Sequence, residues 1–232
     1  MPIQNRLPSF LQLIIFDWDG TLIDSTAHIV RTINAAFTEH NLPIPSQEAA
    51  KHIIGLSFYQ AITQLTPTLP DTKRHQLIET YRQLYANGLE EVVLFDQVKT
   101  GLSALKNKGV LLAIATGKSR KGLDDNLAMT GTQNLFATTR TVDECPSKPD
   151  PAMIHAILSE LNITPNHAIM IGDTSYDLMM ARYAGINSVG VNYGAHSVDM
   201  LRTCLPVAIF DEFVSLYEWL IQQLGSQHAR MA

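Results

Sequence analysis

Asp17 and Asp19 stand two residues apart at the end of an Ile-rich apolar run, in "IIFDWDGTLID" over residues 14–24. Alternate residues of an extended chain point the same way, so both carboxylates can face one bound group. Buried carboxylates without partners are costly, and a positive counterpart is expected nearby. Three other stretches offer matching chemistry. "AIATGK" closes an apolar run with Thr116, Gly117 and Lys118, "SKPDP" holds Lys148, and "AIMIGDTSYD" ends in Asp173 with Asp177 four residues later.

Brought together, Asp17, Asp19, Asp173 and Asp177 would repel strongly, and Lys148 alone would not neutralise them. A hard divalent cation would, and Mg²⁺ takes a few carboxylate or carbonyl oxygens together with water and phosphate. The Thr116 hydroxyl, the Gly117 amide and the Lys148 ammonium suit the phosphate itself. Of the two leading aspartates, a metal-paired carboxylate can attack phosphorus. The other can protonate the leaving oxygen and then activate water. Neither a GxGxxG nor a GxxxxGK[ST] cradle is present, so a nucleotide-binding loop does not explain these residues.

The elements that must position them follow from periodicity. Residues 11–16 form a short apolar run suited to a strand buried on both faces. From Ser25 to about Asn87 the pattern becomes helical throughout, beginning with Ile29, Ile33, Ala36 and Phe37 on one face. From Val92 onward strands and helices alternate, with strands at 110–115, near 137–141, at 168–172, at 188–191 and lastly at 207–210. That alternation implies a doubly wound α/β fold with a parallel sheet. The expected division is a core of residues 1–23 and 93–232, with a helical domain of residues 24–92 inserted after the first strand. Such sheets bind ligands beyond the carboxyl ends of their strands, where all the residues above fall.

The 232 residues are 46% apolar and 17% charged, with a net charge of −5 and no basic run. Nucleic acid is therefore a poor partner. No stretch has the apolar length of a membrane span, and the two cysteines, Cys145 and Cys204, fit neither a disulfide framework nor a zinc site. A cytoplasmic protein acting on a small molecule is expected, and its oligomeric state is not legible.

"DWDGTL", "ATGK", "SKPDP" and "IGDTSYD" resemble, in order and spacing, the four signature motifs of the haloacid dehalogenase superfamily. The helical insert resembles that family's α-helical cap. "IGLS" at 54–57 adds a likeness to the phosphoglycolate-phosphatase-like branch. The resemblance implies a Mg²⁺-dependent phosphatase of small phosphorylated metabolites working through an aspartyl-phosphate. Asp17 would be the nucleophile and Asp19 the acid/base. Asp17, the Asp19 main-chain carbonyl and Asp173 would hold the metal, with Asp177 acting directly or through water. Thr116, Gly117 and Lys148 would bind the phosphoryl group.

Rival functions are a β-phosphoglucomutase-like transferase, a 2-haloacid dehalogenase, which would not need Asp19, and a non-catalytic regulator on the same scaffold. The remaining residues take plainer readings. Trp18 should point away from the nucleophile face, Asp24 and Ser25 should cap a helix at the hinge, and Lys118 and Arg120 should be solvated at a helix start.

Overall fold

The computed structural model describes residues 8, 10–88 and 93–231. The expected end of the insert, residue 92, lies outside them. Eight strands and ten α-helices are present among the described residues. Six strands form one sheet. They are β1 (Leu13–Phe16), β4 (Leu111–Ala115), β5 (Thr138–Arg140), β6 (Ala168–Gly172), β7 (Asn187–Val191) and β8 (Ile209–Phe210), in the spatial order β5-β4-β1-β6-β7-β8. Every pairing in this sheet is parallel.

The chain leaves β1, builds outward through β4 and β5, then returns to β1's other side for β6, β7 and β8. The order therefore reverses at β1, which makes its carboxyl end the crevice where such sheets take ligands. Phe16 pairs with Ile114 on one side and Ile171 on the other. Asp17, Thr116 and Asp173 consequently leave the sheet at nearly the same level.

Period-two alternation sorts the strand residues between two cores. Ile14, Phe16, Leu112, Ile114, Ile169 and Ile171 share one cluster with residues of α5 (Val98–Asn107), α6 (Arg120–Thr130) and α10 (Phe213–Met231). Leu13, Ile15, Ala113, Ala115, Ala168 and Met170 pack with α7 (Ala152–Leu161) and α8 (Ser175–Tyr183) on the other face. Trp18 continues the first cluster, fully buried, with its Nε1 donating to Asn126 Oδ1 at 3.1 Å. It does turn away from Asp17, as its parity requires.

Between Asp24 and Val93 the described residues form four helices, α1 (Thr26–Glu39), α2 (Gln47–His52), α3 (Phe58–Leu65) and α4 (Asp71–Asn87). They share a third cluster that includes Ile33, Phe37, Ile62, Leu77 and Tyr81. Buried Arg74 closes the α3–α4 turn by donating to the carbonyls of Leu69 at 2.7 Å and Thr66 at 3.3 Å.

Two features depart from the sequence expectation. The hinge is a two-stranded antiparallel ribbon in which β2 (Ile23–Asp24) pairs with β3 (Val93–Leu94), so Asp24 is a strand residue and no helix cap. Two-residue strands carry no periodicity to detect. Beyond the last expected strand the chain adds α10, preceded by the short α9 (Val198–Thr203) between β7 and β8. Among the described residues no helix is long and apolar enough to cross a membrane.

Gly101 in the middle of α5 permits α10 to pack closely, since a Cβ there would stand 2.7 Å from Phe213 Cε1 and 2.8 Å from Tyr217 Cγ. Helix propensity alone favours Gly101→Ala by about 1 kcal/mol. Overpacking against two rings costs about 1–3 kcal/mol, and the ring carbons are not free ends that swing aside. Gly101→Ala is expected to lower the urea midpoint, whereas a rise would show that α10 yields.

Candidate active site

Four expected site residues converge at the carboxyl edge of the sheet. Asp17 follows β1, its backbone amide extending the ladder to Ile171 O at 2.9 Å. Its side chain is 1% exposed, and Lys148 Nζ lies 2.5 Å from Asp17 Oδ1. The same ammonium lies 2.7 Å from Asp177 Oδ1, and both Lys148 and Asp177 are wholly buried. Asp173, following β6, is held on the opposite side. Its Oδ1 accepts from Thr21 Oγ1 and its Oδ2 from the Ala195 amide, both at 2.8 Å.

Asp177 owes its position to its place on α8. Thr174 and Asp177 form a capping box in which the Asp177 amide donates to Thr174 Oγ1 while Asp177 Oδ2 accepts from the Thr174 amide at 3.0 Å. Thr174 Oγ1 also donates to Oδ2 at 2.6 Å. The helix-start role and the cluster role are thus filled by different oxygens of one carboxylate.

Asp17, Asp173 and Asp177 offer oxygens all within 4.8 Å of one another. Three carboxylates share the pocket with one ammonium, so full ionisation would leave two negative charges in surplus. Burial pushes Asp17 well above the usual carboxylate range, against the attraction of Lys148 and with the added repulsion of Asp177 and Asp173. Burial, then Asp177, raises Asp173 to about 7 despite the hydrogen bonds from Ala195 and Thr21. Burial disfavours the charge on Lys148, but Asp17 and Asp177 outweigh it and hold the ammonium protonated. Asp17 Oδ2 has no hydrogen-bond partner. An unpartnered buried oxygen, an all-oxygen donor set and surplus negative charge together fit a hard divalent cation.

Asp19 stands apart from this cluster. Its Oδ1 accepts from Ser25 Oγ at 2.7 Å, and Lys118 Nζ reaches Oδ1 at 2.9 Å and Oδ2 at 3.0 Å. The Asp19 carboxylate is therefore not a member of the buried Asp17, Asp173 and Asp177 group, and the metal role expected of Asp19 concerns its main-chain carbonyl alone. Ser25 occupies the first position before α1 but makes no side-chain cap, because its hydroxyl is given to Asp19. The expected cap is lost because a buried carboxylate outcompetes a helix terminus for a hydroxyl donor.

Lys118 is not the solvated cation that the sequence suggested but a buried one paired with Asp19. Its side chain is only 9% exposed, and its ammonium also donates to Tyr85 Oη at 2.9 Å. Burial works against the charge, but Asp19 and then Tyr85 lift its pKa above that of an ordinary lysine. A cation at a helix start opposes the helix dipole, and that conflict was the available signal. Arg120, by contrast, pairs with Asp124 and Glu144 at the surface. Cys145 is partly exposed, and burial moves its thiol upward, away from nucleophilic use.

Thr116 and Gly117 follow β4. Thr116 is buried, and its Oγ1 accepts from the Lys118 amide at 3.2 Å. Gly117 lies directly under the helical insert, where an added Cβ would stand 2.6 Å from Leu56 O and 2.7 Å from Gly55 O. The next residue, Ser57, donates its amide to Ser147 Oγ at 2.7 Å. The loop between α2 and α3 thereby lies against the loops that carry Gly117 and Lys148.

The sequence pattern of the family described as "Haloacid dehalogenase-like hydrolase" matches residues 14–191. A Dickeya dadantii protein named "Probable phosphatase IndB" is 32% identical over 224 residues, covering 94% of each chain. The phosphoglycolate phosphatase of Haemophilus influenzae strain Rd is 30% identical over 215 residues, covering 88% of this chain and 96% of its own. Among solved structures, a predicted phosphoglycolate phosphatase from Haemophilus somnus superimposes with a TM-score of 0.81 at 27% identity, over 90% of this chain and 98% of that one.

A raised carboxyl pKa destabilises the fold once the group ionises. Stability contributed by protonated Asp173 is full below the unfolded value and is lost as pH rises through about 7. In EDTA, Tm is therefore expected to rise as pH falls from about 8 to about 6, and Asp173→Asn should flatten that dependence. Equal slopes in the two proteins by differential scanning fluorimetry would remove Asp173 as the source.

Proposed function

Since the chain belongs to the haloacid dehalogenase-like hydrolases and carries their α-helical cap, we propose that it is a Mg²⁺-dependent phosphatase of a small phosphomonoester. The observation that carries this reading is the buried group of Asp17, Asp173 and Asp177 around Lys148, with Asp17 Oδ2 unpartnered. In this reading residues 24–92 are the cap, and residues 1–23 with 93–232 are the core.

Asp17, Asp173 and the main-chain oxygen of Asp19 would hold the cation, with Asp177 contributing directly or through water. When bound, Mg²⁺ would offset the surplus negative charge and draw the phosphate oxygens into the pocket. A carboxylate oxygen of Asp17 forms a bond to phosphorus while the bond from phosphorus to the ester oxygen breaks. Asp19 passes a proton to that departing oxygen, then takes one from the water that hydrolyses the aspartyl-phosphate. Lys148, the Thr116 hydroxyl and the Gly117 amide carry the charge of the transferring phosphoryl oxygens. The loop over Gly117 excludes bulk water during these steps.

Phosphoglycolate is the first substrate to test, because the Haemophilus influenzae relative bears that name and matches over most of both chains. A dehalogenase would leave Asp19 without work, and the buried pairing of Asp19 with Lys118 and Ser25 favours the phosphatase.

Release of phosphate from p-nitrophenyl phosphate is expected to require Mg²⁺ and to fall at least about a thousandfold in Asp17→Asn. Undiminished turnover in EDTA, or in that variant, would sink the mechanism. Mg²⁺ at about a hundred times its Kd should also stabilise the native chain by about 2.7 kcal/mol, a gain read by thermal melting. Asp173→Asn should abolish that gain. Ranking phosphorylated metabolites by kcat/KM then tests phosphoglycolate, which is displaced if another ester is preferred.

A further inference from the structure

Lys118 is the second ammonium at the edge of the sheet, and phosphoryl transfer as described leaves it without a task. We infer that Lys118 is a positioning residue for the acid/base Asp19, and that Tyr85 makes this positioning depend on the cap being seated. The inference rests on the phosphatase reading and assigns Lys118 a role within it.

The geometry is that of a clamp. Lys118 Nζ spans both oxygens of Asp19, at 2.9 and 3.0 Å, and so fixes the plane of the carboxylate. Ser25 Oγ holds Oδ1 from a second direction at 2.7 Å. A lysine on a four-carbon stem is a poor clamp by itself, because ordering it costs rotamer entropy. Tyr85 supplies the missing anchor. Its hydroxyl accepts from Nζ at 2.9 Å, and its ring lies with its centroid 4.6 Å from the ammonium.

Tyr85 is itself fixed within the cap. The ring of His28 on α1 lies 4.7 Å from the Tyr85 ring, and His28 Nε2 is 3.2 Å from the Tyr85 carbonyl. One set of contacts thus runs from the cap helix α4 through Lys118, after β4, to Asp19, after β1. Ser25 then returns it to the foot of α1. If the cap lifts, Lys118 loses its hydroxyl and ring partners, and the orientation of Asp19 is released with them.

The chemical consequence concerns proton transfer. When Asp19 protonates the departing oxygen, the phosphorus–oxygen ester bond breaks, the alcohol leaves neutral, and Asp19 is left as a carboxylate. The charge that develops there meets an ammonium already in place, with no reorganisation required at that moment. The benefit falls on leaving groups that need a proton. An alkyl alcohol needs one, whereas p-nitrophenol departs readily as its anion.

The test compares kcat/KM for an alkyl phosphate, phosphoglycolate or glycerol phosphate, with that for p-nitrophenyl phosphate in Mg²⁺-loaded protein. This quantity reports the steps up to release of the alcohol. Lys118→Met is expected to lower the alkyl value about a hundredfold, as loss of positioned acid catalysis does, while changing the aryl value less than about fivefold. Tyr85→Phe keeps the ring and removes the hydroxyl, and should reduce the alkyl value selectively by about three- to tenfold.

Equal losses on both esters in folded Lys118→Met, or a rise in KM with kcat unchanged, would overturn the positioning role. Retained aryl turnover would leave the phosphatase reading standing. Should Lys118→Met fail to fold, Tyr85→Phe decides the matter alone, and an unselective effect there overturns the inference.

Discussion

The site is organised by one imbalance, three buried carboxylates gathered around a single ammonium. At an effective dielectric constant near 20, two like charges about 4 Å apart repel by about 4 kcal/mol, so the cluster would open if its members were free to move. None of them is free. Asp173 is tied by Thr21 and Ala195, Asp177 by the capping box of α8, and Asp17 by the ladder bond of its own amide to β6. The sheet and one helix terminus oppose the repulsion with hydrogen bonds that stay inside the protein. What results is a pocket arranged for positive charge.

Beside it stands a second charge group of a different kind. Asp19, Lys118, Ser25 and Tyr85 balance one carboxylate against one ammonium and complete the set with hydroxyls. The first group lies outside the helical insert, whereas the second takes two members, Ser25 and Tyr85, from it. Two aspartates separated by a single residue therefore enter opposite environments. Asp17 pairs with Lys148 through one oxygen and keeps Oδ2 without a hydrogen-bond partner, while Asp19 accepts on both oxygens and is held in orientation. The intervening Trp18 is anchored in the opposite core.

The first group was legible in the sequence. Asp17 and Asp173 each close an apolar run that could only be a buried strand, and Lys148 sits in a proline-flanked turn at the same sheet edge. The doubly wound sheet was legible for the same reason, since strands buried on both faces leave continuous apolar runs. The second group was not. Lys118 lies 99 residues from Asp19 and 33 from Tyr85, and at a helix start it has the look of a solvated cation. Ser25 matched the statistics of a cap, but statistics of local preference cannot register a carboxylate brought in by the fold. The hinge ribbon escaped because two residues per strand are too few to alternate.

That ribbon has a mechanical consequence. The described crossing between core and cap consists of Ile23 and Asp24 paired with Leu94 and Val93, reinforced by the bond from the Phe95 amide to Leu22 O. Two tethers bonded side by side act as one strap. Sliding one past the other would break their shared hydrogen bonds, whereas flexing both together would not. The strap thus leaves one soft rotation and resists shear. The contacts of the Gly55 and Leu56 carbonyls over Gly117 and of the Tyr85 hydroxyl with Lys118 are thus both carried by that one strap, so that any rotation it permits changes the two together.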